Sequence, residues 1–175
     1  MVKGFPVRIA IYPGTFDPVT NGHLDIVKRA SLLFDKIIIA VSNNLHKSPL
    51  FSLEERRELV CKTVDELKNV DVDVFEGLLV EYAQKRGASA LIRGLWAVSD
   101  FEYEFQMALM NRKLMPGLET VYLMPSEEYT YINSTIVKEV AQLGGKVDCF
   151  LPPVVAEALK VKLKKKEGER SESVG

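Results

Sequence analysis

The chain is predicted to fold as a doubly wound α/β domain, a five-stranded parallel sheet with helices on both faces and a C-terminal helix. Three observations predict it. Apolar, β-branched runs alternate five times with longer amphipathic stretches along the 175 residues, the pattern of a parallel sheet whose crossovers are helical. Hydrophobic residues make up 47% of the chain, enough at this length to fill one core. Glycine and proline gather where apolar runs end and the chain must turn.

The elements follow in order. "VRIAIY" opens the sheet and, after a long loop, the helical pattern "HLDIVKRASLLF" begins. "KIIIAVS" precedes "SLEERRELVCKTVDEL", where Ser52 and Glu55 form the signature of a capping box. "VDVDVF" precedes "LLVEYAQKRG", with Gly87 placed to end that helix in the left-handed region. "ASALIRG" precedes "DFEYEFQMALMNRKLM", which Asp100 or Ser99 can cap. This helix carries two apolar stripes, Phe101, Phe105, Ala108 and Leu109 against Tyr103, Met107, Met110 and Leu114. A surface helix needs one, so either both are core or one packs against another subunit. "ETVYLMP" precedes "STIVKEVAQLGG", and "FLPPVVAEALKVKLKKK" closes a single domain over residues 1–166. Residues 167–175, "EGERSESVG", are expected to be a disordered polar tail. The whole is Rossmann-like.

A net charge of −1 gives no global attraction to nucleic acid or a membrane surface, so any phosphate binding has to be local. "KLKKK" reads as a solvated helix end suited to the dipole. "MVKGFPVRIAIY" lacks the features of a signal peptide, and no run approaches the roughly 18 apolar residues of a membrane span. A cytoplasmic protein is expected. Cys61 and Cys149 have no metal or redox spacing and read as buried small residues.

In a parallel sheet ligands bind beyond the carboxyl ends of the strands, so the loops after strands are where chemistry belongs. The first, within "YPGTFDPVTNGH", exceeds the about two to six residues usual for such connections. Neither GxGxxG nor GxxxxGK[ST] is present. What remains is Gly22 and His23 at a helix start, where N–H groups and the dipole favour an anion. Lys47, Arg93 and the Ser134–Thr135 pair on other loops add cations and a second helix start.

"YPGTFDPVTNGH" resembles the first motif of the nucleotidyltransferase superfamily in its TxGH form, and "INSTIVKE" resembles the second. With "SLEER", "LIRGL", "DFEYE", "NRKLMP" and "FLPP", the chain is similar to the phosphopantetheine adenylyltransferase family from about Arg8 to about Leu163. The resemblance implies AMP transfer from ATP to 4′-phosphopantetheine, a reversible step of coenzyme A synthesis that yields dephospho-coenzyme A and pyrophosphate. The attacking phosphate oxygen is already anionic, so positioning and charge stabilisation suffice and no base is needed.

Carried over position by position, the resemblance assigns His23, Thr15, Lys47 and Arg93 to catalysis. It assigns Thr15, Phe16, His23, Gly94, Leu95, Trp96, Glu104 and the segment Tyr129, Thr130, Tyr131, Ile132, Asn133, Ser134, Thr135 to ATP. Thr15, Lys47, Leu79 and Arg93 fall to phosphopantetheine. Mg²⁺ is implied with ATP, held by phosphate oxygens and water, and the family forms homohexamers.

Structural roles compete for several of these. Lys47 and His46 can be solvated loop residues, Arg93 can pair with an acid of "DFEYE" such as Glu104, and Asp17 can serve a turn. A nicotinamide mononucleotide adenylyltransferase or a cytidylyltransferase would share fold and motif, but two cations with an apolar contact suit a phosphate on a pantetheine arm. One position departs: many relatives read "RGLRAV" where this chain has Trp96, which carries no charge and one donor.

Overall fold

The computed structural model describes residues 7–43, 48–96 and 100–172, with side chains through Lys165. Five strands, β1 (Ile9–Gly14), β2 (Lys36–Ser42), β3 (Val70–Phe75), β4 (Ala90–Gly94) and β5 (Glu119–Leu123), form the sheet. They alternate with α1 (Asn21–Ala30), α2 (Leu53–Val64), α3 (Leu79–Lys85), α4 (Asp100–Leu114) and α5 (Ser134–Gln142), and α6 (Pro153–Glu172) follows. Every pairing is parallel, in the order β3-β2-β1-β4-β5. The predicted doubly wound sheet is present. The order reverses between β1 and β4, where loops leaving adjacent strands part toward opposite faces and open a crevice.

The strand pleat divides the core in two. Ala10, Tyr12, Ile37, Ile39, Val41, Ala90 and Ile92 face Ile26 and Val27 of α1, Leu59 and Val60 of α2, Val137 of α5 and Val155 and Leu159 of α6. Their alternates Ile11, Ile38, Ala40 and Leu91 face Val80 and Ala83 of α3 and Leu118. Strands buried on both faces read as continuous apolar runs, as β2 does over Ile37–Val41.

The local signals hold where they fall on described residues. Ser52 Oγ accepts from the Glu55 N–H at 3.2 Å and the Glu55 carboxylate accepts from the Ser52 N–H at 2.7 Å. Gly87 has φ +64°, a conformation that glycine adopts without a Cβ clash. Asp100 opens α4, whereas Ser99 lies outside the described residues. No helix among the described residues is long and apolar enough to cross a membrane.

Two expectations need correction. Within the single chain neither stripe of α4 is core: Phe101, Tyr103, Phe105, Met107, Leu109, Met110 and Leu114 are all exposed, and the buried residues are Glu104 and Asn111. The cysteines are not buried either; Cys149 is exposed on a short 3₁₀ turn and Cys61 is half-buried. Helix α6 runs to Glu172, into the segment read from the sequence as a polar tail.

Candidate active site

The loops leaving β1 and β4, with α4 and the start of α5, enclose a cleft of about 890 Å³. Its floor is the long first loop, and long-range bonds explain the length. The Asp17 carboxylate accepts from the Leu50 and Phe51 N–H groups at 2.9 Å each and pairs with Lys138 of α5. Asp17 thus ties three segments together and is not a local turn residue. Ser134 Oγ donates to the Pro18 carbonyl at 2.7 Å. From below, Arg56 of α2, 1% exposed, donates to the Thr15, Ser42 and Phe51 carbonyls at 2.7, 2.9 and 3.3 Å. A buried guanidinium spending its donors on carbonyls fixes the loop backbone and satisfies itself. Phe16, at φ +49°, turns the chain between these anchors.

The same loop presents His23. Thr20 caps α1 and His23 occupies the third helical position, so the imidazole takes the part that Glu or Gln plays in a capping box. The Thr20 N–H donates to His23 Nδ1 at 3.1 Å. That bond makes Nδ1 an acceptor, and a neutral ring then carries its proton on Nε2. The ring is packed against Phe16 at 5.2 Å, Trp96 at 5.4 Å and Tyr12 at 6.4 Å between centroids. This burial lowers its pKa to about 4. Near neutral pH, His23 is an uncharged N–H donor at the lip of a helix N-terminus.

Across the cleft, Arg93 leaves β4 and is gripped by Glu104 of α4. Nε donates to Oε2 at 2.9 Å, and Nη2 bonds Oε1. Burial disfavours the Arg93 charge, but the Glu104 bonds and charge outweigh it and raise the pKa, so the guanidinium stays cationic. Tyr122 Oη donates to the Glu104 carbonyl at 2.6 Å. Arg93 and Glu104 are therefore partners, as the structural reading allowed, and both still line the cleft.

The cleft brings together Thr15, Phe16, His23, Leu79, Arg93, Gly94, Trp96, Glu104, Ser134 and Thr135. Other predicted residues stand apart from its walls. Ile132 is 3% exposed and belongs to the core, Asn133 caps α5 by accepting from the Ile136 N–H at 2.9 Å, and Tyr131 is exposed with its ring on Phe150. Tyr129 packs beside Gly22. Leu95 and Thr130 are not among the lining residues. Lys47 lies outside the described residues. Sequence reasoning missed Arg56 and Lys138. Arg56 had a signal: it shares the inward spacing of Leu59, Val60 and Val64, and a cation on an apolar stripe needs a buried partner.

A family model of the cytidylyltransferase-like domain matches residues 11–140. The phosphopantetheine adenylyltransferase of Caldanaerobacter subterraneus subsp. tengcongensis is 58% identical over 159 residues, 91% of this chain and 99% of that protein. That of Alkaliphilus metalliredigens is 51% identical over 156 residues, 89% of this chain and 99% of its own. Among solved structures, a bifunctional NMN adenylyltransferase/ADP ribose pyrophosphatase from Francisella tularensis has a TM-score of 0.68 at 14% identity, covering 97% of this chain and 54% of that one. The lipopolysaccharide core biosynthesis protein from Thermoplasma volcanium has a TM-score of 0.55 at 22% identity, covering 70% and 100%. The two structures show a shared fold, and the identity to the two relatives, each matched over 99% of its length, shows more than fold: the chain belongs to the phosphopantetheine adenylyltransferase family.

Proposed function

We propose that the protein transfers AMP from ATP to 4′-phosphopantetheine in the cytoplasm, giving dephospho-coenzyme A and pyrophosphate. The observation that carries the reading is His23, held by the Thr20 N–H as a neutral Nε2–H donor at the start of α1. A phosphate oxygen of the acceptor attacks the α-phosphorus, the bond to the bridging oxygen breaks, and pyrophosphate leaves with the electron pair. No proton has to be removed from the nucleophile. The help required is a donor where negative charge builds, and His23 with the N–H groups of α1 supplies it. Arg93, Lys138 and Lys47 are the cations for two anionic substrates, Thr15 sits where the two meet, and Leu79 offers the pantetheine arm an apolar contact.

Mg²⁺ enters on the phosphates of ATP as part of that substrate. The donor set fits this route: of the three carboxylates on the cleft wall, Asp17, Asp100 and Glu104, two are engaged by a cation, Asp17 by Lys138 and Glu104 by Arg93. The lone pairs of Asp17 and Glu104 serve protein partners, and water and phosphate oxygens suit Mg²⁺ better. The exposed apolar face of α4 supports a homo-oligomer, hexameric by family resemblance.

Pyrophosphate release from MgATP tests the reading with a panel of acceptors. Turnover is expected with 4′-phosphopantetheine and not with nicotinamide mononucleotide. His23→Ala should lower kcat on the order of 10²–10³-fold, the scale of losing one preorganised donor, while ATP still binds. Turnover of the nicotinamide nucleotide alone would overturn the acceptor, and an undiminished His23→Ala rate would overturn the role of the imidazole. Because one phosphoanhydride replaces another, dephospho-coenzyme A with pyrophosphate should regenerate ATP.

A further inference from the structure

Trp96, the only tryptophan of the chain, stands where an anion contact was expected from resemblance, and its neighbours indicate another use. Its ring meets the His23 imidazole edge-on at 5.4 Å. On its other side it lies over the first turn of α1, so closely that a methyl on Gly22 would come within 2.6 Å of the indole Cη2 and Cζ3. A methyl on Gly94 would stand 3.2 Å from the indole nitrogen. Two glycines, one in the first turn of α1 and one ending β4, thus make the berth of this side chain. The imidazole completes it and is itself packed against Phe16 at 5.2 Å between centroids. His23 is held at Nδ1 by the Thr20 backbone N–H at 3.1 Å and the Thr20 hydroxyl at 2.9 Å, and its ring is packed among Phe16, Trp96 and Tyr12.

We infer that Trp96 is a positioning residue for His23: seated on Gly22 and Gly94, the indole walls the imidazole from water and fixes its tilt toward the reacting phosphates. The inference deepens the adenylyl-transfer reading, on which its kinetic arm rests. Its physical core does not need that reading, because a ring walled off by aromatic carbon resists protonation whatever the substrate. A fixed tilt matters for rate because a donor displaced by about 1 Å loses much of its effect on the transition state.

The charged and titratable groups around the ring come from every side of the cleft. Tyr12 of β1 is kept protonated by burial, and Asp17 of the first loop pairs with Lys138 of α5. Arg93 of β4 pairs with Glu104 of α4, and Asp100 also lines the cleft. Tyr129 packs against Gly22, and Asp25 on the helix of His23 is bonded to Ser126 and Arg29. Burial is the cause of the low pKa of the ring, about 4. Opening the wall is therefore what should move it.

The chain has two histidines, His23 and His46, so imidazole NMR of the full-length protein, with His46→Asn for assignment, follows His23 directly. The wild-type ring should titrate near pH 4 with its proton on Nε2. In Trp96→Ala the midpoint should rise toward the ordinary value of about 6.5, and kcat for pyrophosphate release should fall on the order of tenfold, with KM for ATP nearly unchanged. Trp96→Phe keeps an aromatic wall and should restore most of both. Gly22→Ala displaces the indole without deleting it and should act like Trp96→Ala; added to Trp96→Ala it should do little more, since contacting residues are not additive. If Trp96→Ala fails to fold, Gly22→Ala and Trp96→Phe carry the same comparison. Indistinguishable His23 midpoints in wild type and the displaced variants would overturn the inference. So would a rise in KM for ATP with kcat intact, which would make Trp96 a nucleotide contact. Absence of adenylyl transfer by the wild type would instead sink the functional reading and leave the NMR result standing.

Discussion

Helices α1 and α4 border the same cleft and are built inside out relative to each other. In α1 the residues turned inward are Gly22, Ile26, Val27 and Ala30, and the last turn carries Lys28 and Arg29. In α4 the residues turned inward are Glu104 and Asn111, while seven apolar side chains from Phe101 to Leu114 face outward. Water drives α1 onto the sheet. The apolar side chains of α4 stay exposed in the single chain, and α4 is held locally by polar bonds, Glu104 to Arg93 and Tyr122 to the Glu104 carbonyl. One helix is positioned by packing and the other by a charge pair, with its apolar face exposed in the single chain.

Met110→Glu breaks the comparison most completely. Met110 is 56% exposed in the single chain, so a carboxylate there costs the monomer little but would be desolvated and unpaired in an interface between copies. Light scattering should show an oligomer for the wild type and a 19.7 kDa monomer for the variant, with an unchanged circular dichroism spectrum. A wild type that is already monomeric at micromolar concentration would remove the role given to this face.

Next in size is pH, which acts on the α1 side. The folded pKa of His23, about 4, lies below the unfolded value of about 6.5. The stability from keeping the ring neutral is fully present above pH 6.5 and is lost as the pH falls toward 4, where the unfolded chain binds the proton first. The loss should be on the order of 2 kcal/mol between pH 7 and pH 4, below the full shift because the ring keeps an edge near the open cleft. Urea midpoints of wild type and His23→Asn across that range should converge at low pH. Parallel curves would mean that the ring is not held neutral by burial.

Glu104→Gln probes α4 in the same currency and keeps the side-chain volume. Arg93 would retain one neutral acceptor in place of a carboxylate, and about 1–2 kcal/mol of stability should go. The figure is tempered because the Arg93 side chain is 33% exposed. Inorganic phosphate should recover more of the denaturation midpoint in Glu104→Gln than in wild type, since the released guanidinium becomes an anion site. Equal recovery would show that Arg93 stays bound elsewhere.

What the sequence disclosed follows the range of the forces involved. The strands were legible because a centre strand buried on both faces has to be apolar throughout, as in β2, and the Ser52–Glu55 box because its partners lie three residues apart. The inverted interior of α4 was not, since its apolar residues surround the helix and only the contacts reveal that Glu104 and Asn111 are the inward ones. Asp17 with Leu50 and Phe51, and Arg56 with Thr15, bridge separations of 33 or more residues that no local pattern encodes. His23 could be singled out from the helix start and motif, but its tautomer depends on a ring accepting a bond usually made by Glu or Gln, and Trp96 on the fit of two glycines.

The smallest effect separates the hydroxyl of Thr20 from its backbone N–H as partners of His23. Thr20→Ala deletes the hydroxyl that accepts from the His23 N–H at 3.4 Å and lies 2.9 Å from Nδ1, yet keeps the backbone N–H that donates to Nδ1 at 3.1 Å. Loss of the cap should lower stability by about 1 kcal/mol, read as a lower urea midpoint. If the backbone bond sets the tautomer, kcat for pyrophosphate release stays within about twofold, well short of the loss that follows removal of a transition-state donor. A fall in kcat comparable to that of His23→Ala would assign the tautomer to the hydroxyl, and α1 would then be held at its functional end by a polar side chain, as α4 is.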